Sequence, residues 1–244
     1  MESRLEPAGS EQDFSRHSTW KRWLMILFWI WYGISALASL RSSNRFDALG
    51  PISLALVWWL VLRFRRNLQS LAGKMSLPLL IKFLLIGLFF SVVVMDNLAT
   101  SFKGDLTSNL LLNDIMWIGP YVGVLTAWWL LSRFYQFTAW QVFFLYGFKG
   151  IVVEQDFLIP LMFWKSQYLA ALLTIPLVLV VYASAVAPVY VALENELPKP
   201  LRKTGWTAMA LGVILPGIFF YGGAAVWFKF LKLLNPLFGM KFPL

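Results

Sequence analysis

The chain contains no cysteine and a single histidine, and only 14% of its 244 residues are charged. Without cysteine there can be no disulfide, thiolate metal site, cysteine nucleophile or palmitoyl anchor. The lone histidine, His17, lies in a polar stretch. One histidine excludes a bis-histidine haem, a histidine-rich metal centre and a paired-histidine intramembrane metalloprotease, and no cofactor or metal is expected. The scarcity of charge reaches further. Soluble domains carry roughly 25% charged and about 45–50% apolar residues, whereas here the apolar share is 59% and the mean hydropathy is +0.67. A soluble fold of this length has too small an interior for that surface, so lipid is the expected solvent.

Acidic residues are also in the minority: 12 Asp and Glu face 21 Lys and Arg, a formal charge of +9 with pI near 9.9. In a soluble domain this balance would suggest nucleic acid. Here the basic residues sit in short loops between apolar runs, where they set topology and meet anionic headgroups. The expected partners are the bilayer, anionic lipid on the cytoplasmic side, and either a further membrane protein or a second copy of the chain; nucleic acid is not expected.

What the chain does contain is apolar length with aromatic ends. Of its 13 Trp, 21 Phe and 8 Tyr, many stand beside Arg or Lys at segment boundaries, the material for interfacial belts. Seven segments are predicted, at about residues 23–40, 49–64, 77–98, 110–132, 138–153, 168–193 and 204–228. The fold class is therefore all-α, a polytopic integral membrane helix bundle over residues 20–232. A disordered polar tail (1–19) precedes it and an interfacial tail (233–244) follows. Ala36-Leu37-Ala38 would suit signal peptidase. The polar tail, the Trp-rich run and its near-spanning length favour a retained helix. Lys82 is close enough to the start of its span to snorkel. The fifth segment is short or re-entrant, because Lys149, Glu154, Gln155 and Asp156 interrupt it.

With the N-terminus cytoplasmic, most basic residues (the tail, the 63–74 loop, Arg133 and the 199–203 loop) fall inside, and Arg41, Arg45, Lys103 and Lys165 fall outside. One internal echo is present: Gly50-Pro51 followed by Trp58-Trp59-Leu60 and Arg63, then Gly119-Pro120 followed by Trp128-Trp129-Leu130 and Arg133. A duplicated hairpin would produce it, and so would a shared preference of cytoplasmic interfaces for Trp and Arg.

Under this topology three acid-amide clusters reach one depth on the outer side: Asp96-Asn97, Asn113-Asp114 and Glu154-Gln155-Asp156. Gly147, Gly150 and Glu154 share a face of the fifth segment by helical spacing, a stripe that lets helices approach closely. Lys149 is the most deeply placed charge, at a cost of roughly 2.5–3.5 kcal/mol if unpaired. A carboxylate partner is expected for it: Asp114 or Asp96 first, then Glu154.

These residues fit three readings. Wet charges at helix ends would do no more than fix those ends. A proton, cation or small-solute site beside a broken helix would serve translocation, or binding in a membrane complex. A membrane enzyme would use Glu154 or Asp114 as general base on a lipid-borne substrate, with Lys149 holding its phosphate or carboxylate. No serine-nucleophile motif, metal-ligand spacing or phosphate loop accompanies them. A retinal protein would need a lysine deep in the last span, which lacks one between Gly205 and Phe228. An aspartyl intramembrane protease would need aspartates deeper than Asp96 and Asp114.

The absence of cysteine makes the topology directly testable. Single cysteines at Ser132 and Thr204 should label from one side of the membrane, and at Ser101 and Ser166 from the other. Labelling of Ser132 and Thr204 from opposite sides would overturn the seven-span arrangement.

Overall fold

Apolar segments in lipid must satisfy their backbone groups internally, which favours helices. The computed structural model describes the backbone of residues 10–39, 46–101, 110–152, 158–200, 202 and 204–238. Side chains are described for 20, 22–39, 50–94, 111–152, 158–200, 202 and 204–234. Among the described residues the regular elements are all helices: α1 (Ser10–Ser39), α2 (Phe46–Arg63), α3 (Arg65–Lys74), α4 (Leu79–Ser101), α5 (Leu110–Phe134), α6 (Ala139–Val152), α7 (Leu158–Trp164), α8 (Tyr168–Ala192) and α9 (Trp206–Phe238).

Four of them hold segments long and apolar enough to cross a bilayer: Arg22–Ser39, Leu111–Phe134, Tyr168–Ala192 and Trp206–Leu234. Two shorter apolar helices, Gly50–Arg63 and Leu79–Val94, accompany these. The fifth segment of the sequence is two pieces, α6 and α7, which both pack along α8. Helix α1 begins at Ser10, inside the stretch read as a tail, and α9 runs on to Phe238, past the expected start of the C-terminal tail. The ends of both tails, 1–9 and 239–244, lie outside the described residues.

The stretch after Arg63, expected to be a loop, is helix α3. Its amphipathic pattern explains this: Ala72 is buried and Leu68 half-buried, while Arg65, Arg66 and Lys74 are exposed. It lies at one end of the bundle, against α8 and α2.

Helix α8 is the axis of the structure. It touches α1, α2, α3, α4, α6 and α7, and from Pro176 to Leu193 only Leu177 and Tyr182 are not fully buried. Its alanines and Ser184 keep its surface narrow enough for so many neighbours. Helix α6 approaches along Gly147 and Gly150, where a Cβ would collide with Leu179 and the Tyr182 ring. The expected glycine stripe thus seats α6 on α8; its third member, Glu154, is outside the described residues.

A second seam joins α5 to α9. A Cβ on Gly123 would strike the carbonyl of Phe219, and one on Gly223 the carbonyl of Gly119. Trp227 donates its indole N–H to the Ile115 carbonyl at 2.7 Å, bridging the seam.

Both members of the Trp-Trp echo turn their first tryptophan inward. Trp58 bonds Ser184 of α8 at 2.7 Å and stacks on Trp140 of α6. The carbonyl of Trp128 accepts from Tyr190 of α8 at 2.9 Å, and its ring meets Tyr146 of α6. Trp59, by contrast, is exposed and Trp129 half-buried. Ser132 is buried and bonded to the Trp129 carbonyl at 2.6 Å, so exposed Gln136 is the better labelling position at that end.

Backbone contact at the α5–α9 seam sets a clear contrast. Gly123→Leu should lower thermal stability in detergent by roughly 1–3 kcal/mol through overpacking. Gly33→Ala, where an added Cβ meets nothing within 4 Å, should be neutral or raise stability by up to about 1 kcal/mol. Equal effects in thermal unfolding would refute the seam.

Candidate functional site

Lys149 leaves α6 about 200° around the helix from Gly147, at roughly 100° per residue, and so points away from α8 towards α9. It is fully buried. Its ammonium lies 4.9 Å from the ring centroid of Phe220 and 5.0 Å from that of Tyr146. Gly217 faces its stem: a Cβ there would make ordinary contact with Lys149 Cε at 3.5 Å. Two desolvated cation–π contacts at about 2 kcal/mol each are comparable with the roughly 2.5–3.5 kcal/mol cost of a lysine at mid-membrane. The rings therefore offset much of that cost; of the expected carboxylate partners, Asp114 is described, while the Asp96 side chain and Glu154 lie outside what is described.

Phe220 carries the site across to α5. Its ring is 6.0 Å from Trp117, which is 6.4 Å from Tyr121. Asn113 and Trp117 are one turn apart on α5, and Asp114 shares a face with Trp117 and Tyr121 by i, i+3 and i+7 spacing. Asn113 is 1% exposed, and among the described residues neither its amide oxygen nor its nitrogen has a hydrogen-bond partner; the buried indole N–H of Trp117 also lacks one. Unsatisfied buried groups cost about 1–3 kcal/mol each and are rare enough in native proteins to need a reason. Three such atoms on one face, reached from the buried cation through the ring of Phe220, suggest a place that a polar ligand would complete.

Asp114 is half-buried. Asp96 and Asn97 belong to the last turns of α4, but their side chains lie outside the described ones, and Glu154, Gln155 and Asp156 lie outside the described residues altogether. The structure thus brings Asn113 and Lys149 into one region through Trp117 and Phe220, and describes only the α5 member of the three acid-amide clusters. Among the described residues no group of three His, Asp or Glu side chains could hold a metal.

Below Lys149, towards the α3 end, the interior is an aromatic column. Trp128 meets Tyr146, Tyr190 and Phe137 edge-on at 6.5, 6.1 and 5.4 Å, and Tyr190 meets Phe83 at 5.7 Å. A polar path from Lys149 to Arg133, which translocation would use, is filled by these rings. Arg133 itself lies outside, over Trp129 at 5.5 Å.

At the α3 end lies a second polar layer. Lys82 is not snorkelling; it is 4% exposed and bonds Glu196 at 2.6 Å. Arg65 pairs with Glu194, and Gln69 donates to Glu194 at 3.0 Å and to the Val191 carbonyl at 3.1 Å. Gln136 donates its backbone N–H to the Arg202 carbonyl at 3.1 Å, and Thr204 bonds the Gln136 carbonyl. The sequence carried a signal for this layer: beyond the N-terminal tail, Glu194 and Glu196 are acidic residues on the otherwise basic side.

Comparison of the chain with protein-family models, curated proteins and solved structures gives no match.

The two ion pairs differ in burial, and their removal should differ accordingly. Lys82→Ala leaves the half-buried Glu196 carboxylate without its cation and should cost roughly 1–3 kcal/mol or more, whereas Arg65→Ala at an exposed pair should cost under about 1 kcal/mol. Denaturation of both variants in detergent checks the order.

Proposed function

We propose that the chain is a seven-span membrane protein with a cytoplasmic N-terminus, and that it binds and translocates a small anionic or zwitterionic solute at the Lys149 cage. The observation that carries this reading is the coincidence, between α5, α6 and α9, of a fully buried ammonium with the unsatisfied amide of Asn113 and indole N–H of Trp117. Nitrogen donors around a cation match carboxylate or phosphate oxygens, and the Asn113 carbonyl oxygen is left for a ligand N–H.

The span count rests on four long apolar helices, two shorter ones, and α6 with α7 as the outbound partner of α8. In this arrangement the α3 end is cytoplasmic, in keeping with the basic bias of its loops. The aromatic column and the Lys82–Glu196 and Arg65–Glu194 pairs then close the site from the cytoplasm, leaving it set for access from the outer side. Prolines at 51, 120, 176 and 188, inside α2, α5 and α8, supply places where helices can bend during opening. The alternative, a membrane enzyme, would take as its base Glu154, outside the described residues, or Asp114, half-buried on α5.

Glutamate, succinate and inorganic phosphate are suitable probes. At least one should raise the thermal unfolding temperature of the purified protein, and that rise should vanish in Lys149→Met and Asn113→Leu. The unliganded Lys149→Met protein should be about as stable as the parent, since it loses its ring contacts together with the buried charge that they offset. A rise that survives both substitutions, or no rise with any probe, would overturn the site. Binding without uptake of the same radiolabelled probe into proteoliposomes would overturn translocation.

A further inference from the structure

Helix α1 packs along α8 and α2 but meets α6 through rings, with Phe28 5.6–5.7 Å from Phe143 and Phe144. Between the two helices this leaves an open, apolar groove of about 670 Å³, walled by Leu24, Leu27, Phe28 and Trp31 of α1 and by Trp140 and Phe144 of α6. That volume is in the range of roughly 300–1,000 Å³ typical of small-molecule sites. Trp140 stands in the first turn of α6 and Arg22 begins the apolar part of α1, so the groove opens at the end of the bundle where the basic residues gather.

We propose that this groove is a phospholipid site: one acyl chain of an anionic phospholipid lies along α1, and its phosphate meets Arg22. The walls decide between a lipid and another helix. Close packing of helices in lipid favours small residues at the contact, whereas these walls are Leu, Met, Phe and Trp, an irregular relief that a flexible acyl chain fills readily. The mouth decides the headgroup. Arg22 is exposed between Trp20 and Trp23, which are 66% and 57% exposed. Two lipid-facing tryptophans beside a guanidinium place ring and charge at headgroup depth, where anionic phosphate is the complementary group. The site is separate from the Lys149 cage, with Phe143 and Tyr146 of α6 between them, and does not depend on the function proposed there.

Native mass spectrometry of the detergent-purified chain tests this, with palmitoyl-oleoyl phosphatidylglycerol and palmitoyl-oleoyl phosphatidylcholine as probes. The unaltered protein should retain one phosphatidylglycerol, with roughly fivefold preference over phosphatidylcholine, the ratio one basic residue supplies at an anionic headgroup. Arg22→Glu should bring the preference to unity or below. Leu27→Trp, at a lipid-facing position, should fill the groove and lose the bound lipid of either kind. Should that variant fail to fold, Leu27→Cys coupled after folding to a bulky maleimide fills the same space, since the chain has no other thiol. Equal retention of the two lipids by the unaltered protein, a phosphatidylglycerol preference that survives Arg22→Glu, or lipid retained with the groove filled would each overturn the proposal. So would efficient disulfide cross-linking of Leu27→Cys between two copies, which would give the groove to a second chain.

Discussion

Close approach of helix backbones is the constraint on which the rest of this structure depends. In lipid there is no hydrophobic gain from bringing two apolar helices together, so association relies on dispersion at short range and on interhelical hydrogen bonds. Glycine supplies the short range twice. Gly147 and Gly150 bring α6 onto α8, and Gly119, Gly123 and Gly223 bring α5 onto α9. The first seam also aims the site: with one face of α6 pressed to α8, Lys149 on the opposite face points to α9. The second seam holds Trp117 beside Phe220, which completes the cage.

Polarity in the interior is arranged in layers along the bundle. At the α3 end, charges are paired: Lys82 with Glu196, Arg65 with Glu194. In the middle, Trp128, Tyr190, Phe137 and Tyr146 form a column of edge-on rings, tied to the backbone where Tyr190 donates to the Trp128 carbonyl. Beyond the column lie Lys149, Trp117 and Asn113. The two ends treat charge differently. Lys82 is matched by the Glu196 carboxylate, whereas Lys149 is buried with the rings of Tyr146 and Phe220 beside its ammonium. The unsatisfied amide of Asn113 and indole N–H of Trp117 are why this end is the functional candidate and the Lys82 end the structural one.

How much of this was legible in the sequence depends on how far apart the partners are. A charge in an apolar run is visible in one dimension, and Lys149 stood out for that reason, as did the glycines before and after it. Its surroundings are not visible there: Phe220 is on another helix, and the cost of a buried charge says that it needs partners without saying which. The position of Lys82 near a span end predicts snorkelling, yet Glu196, 114 positions away in the chain, turns the same side chain inward. The polar residues of helix α3 outweigh its short apolar face of Leu68 and Ala72, so its sequence alone predicts a loop.

The sequence by itself determined the solvent and the secondary structure. Apolar runs of spanning length force helices through backbone hydrogen bonding, whatever packs around them, and the missing thiols and histidines removed whole classes of chemistry. Only the tertiary structure decided which tryptophan of each pair faces inward, which helix the Gly119–Gly123 face receives, and which rings enclose Lys149. Those are choices among many near-equivalent apolar faces, and in lipid they are settled by steric fit between residues distant in the chain rather than by hydrophobicity, which is nearly the same for all of them.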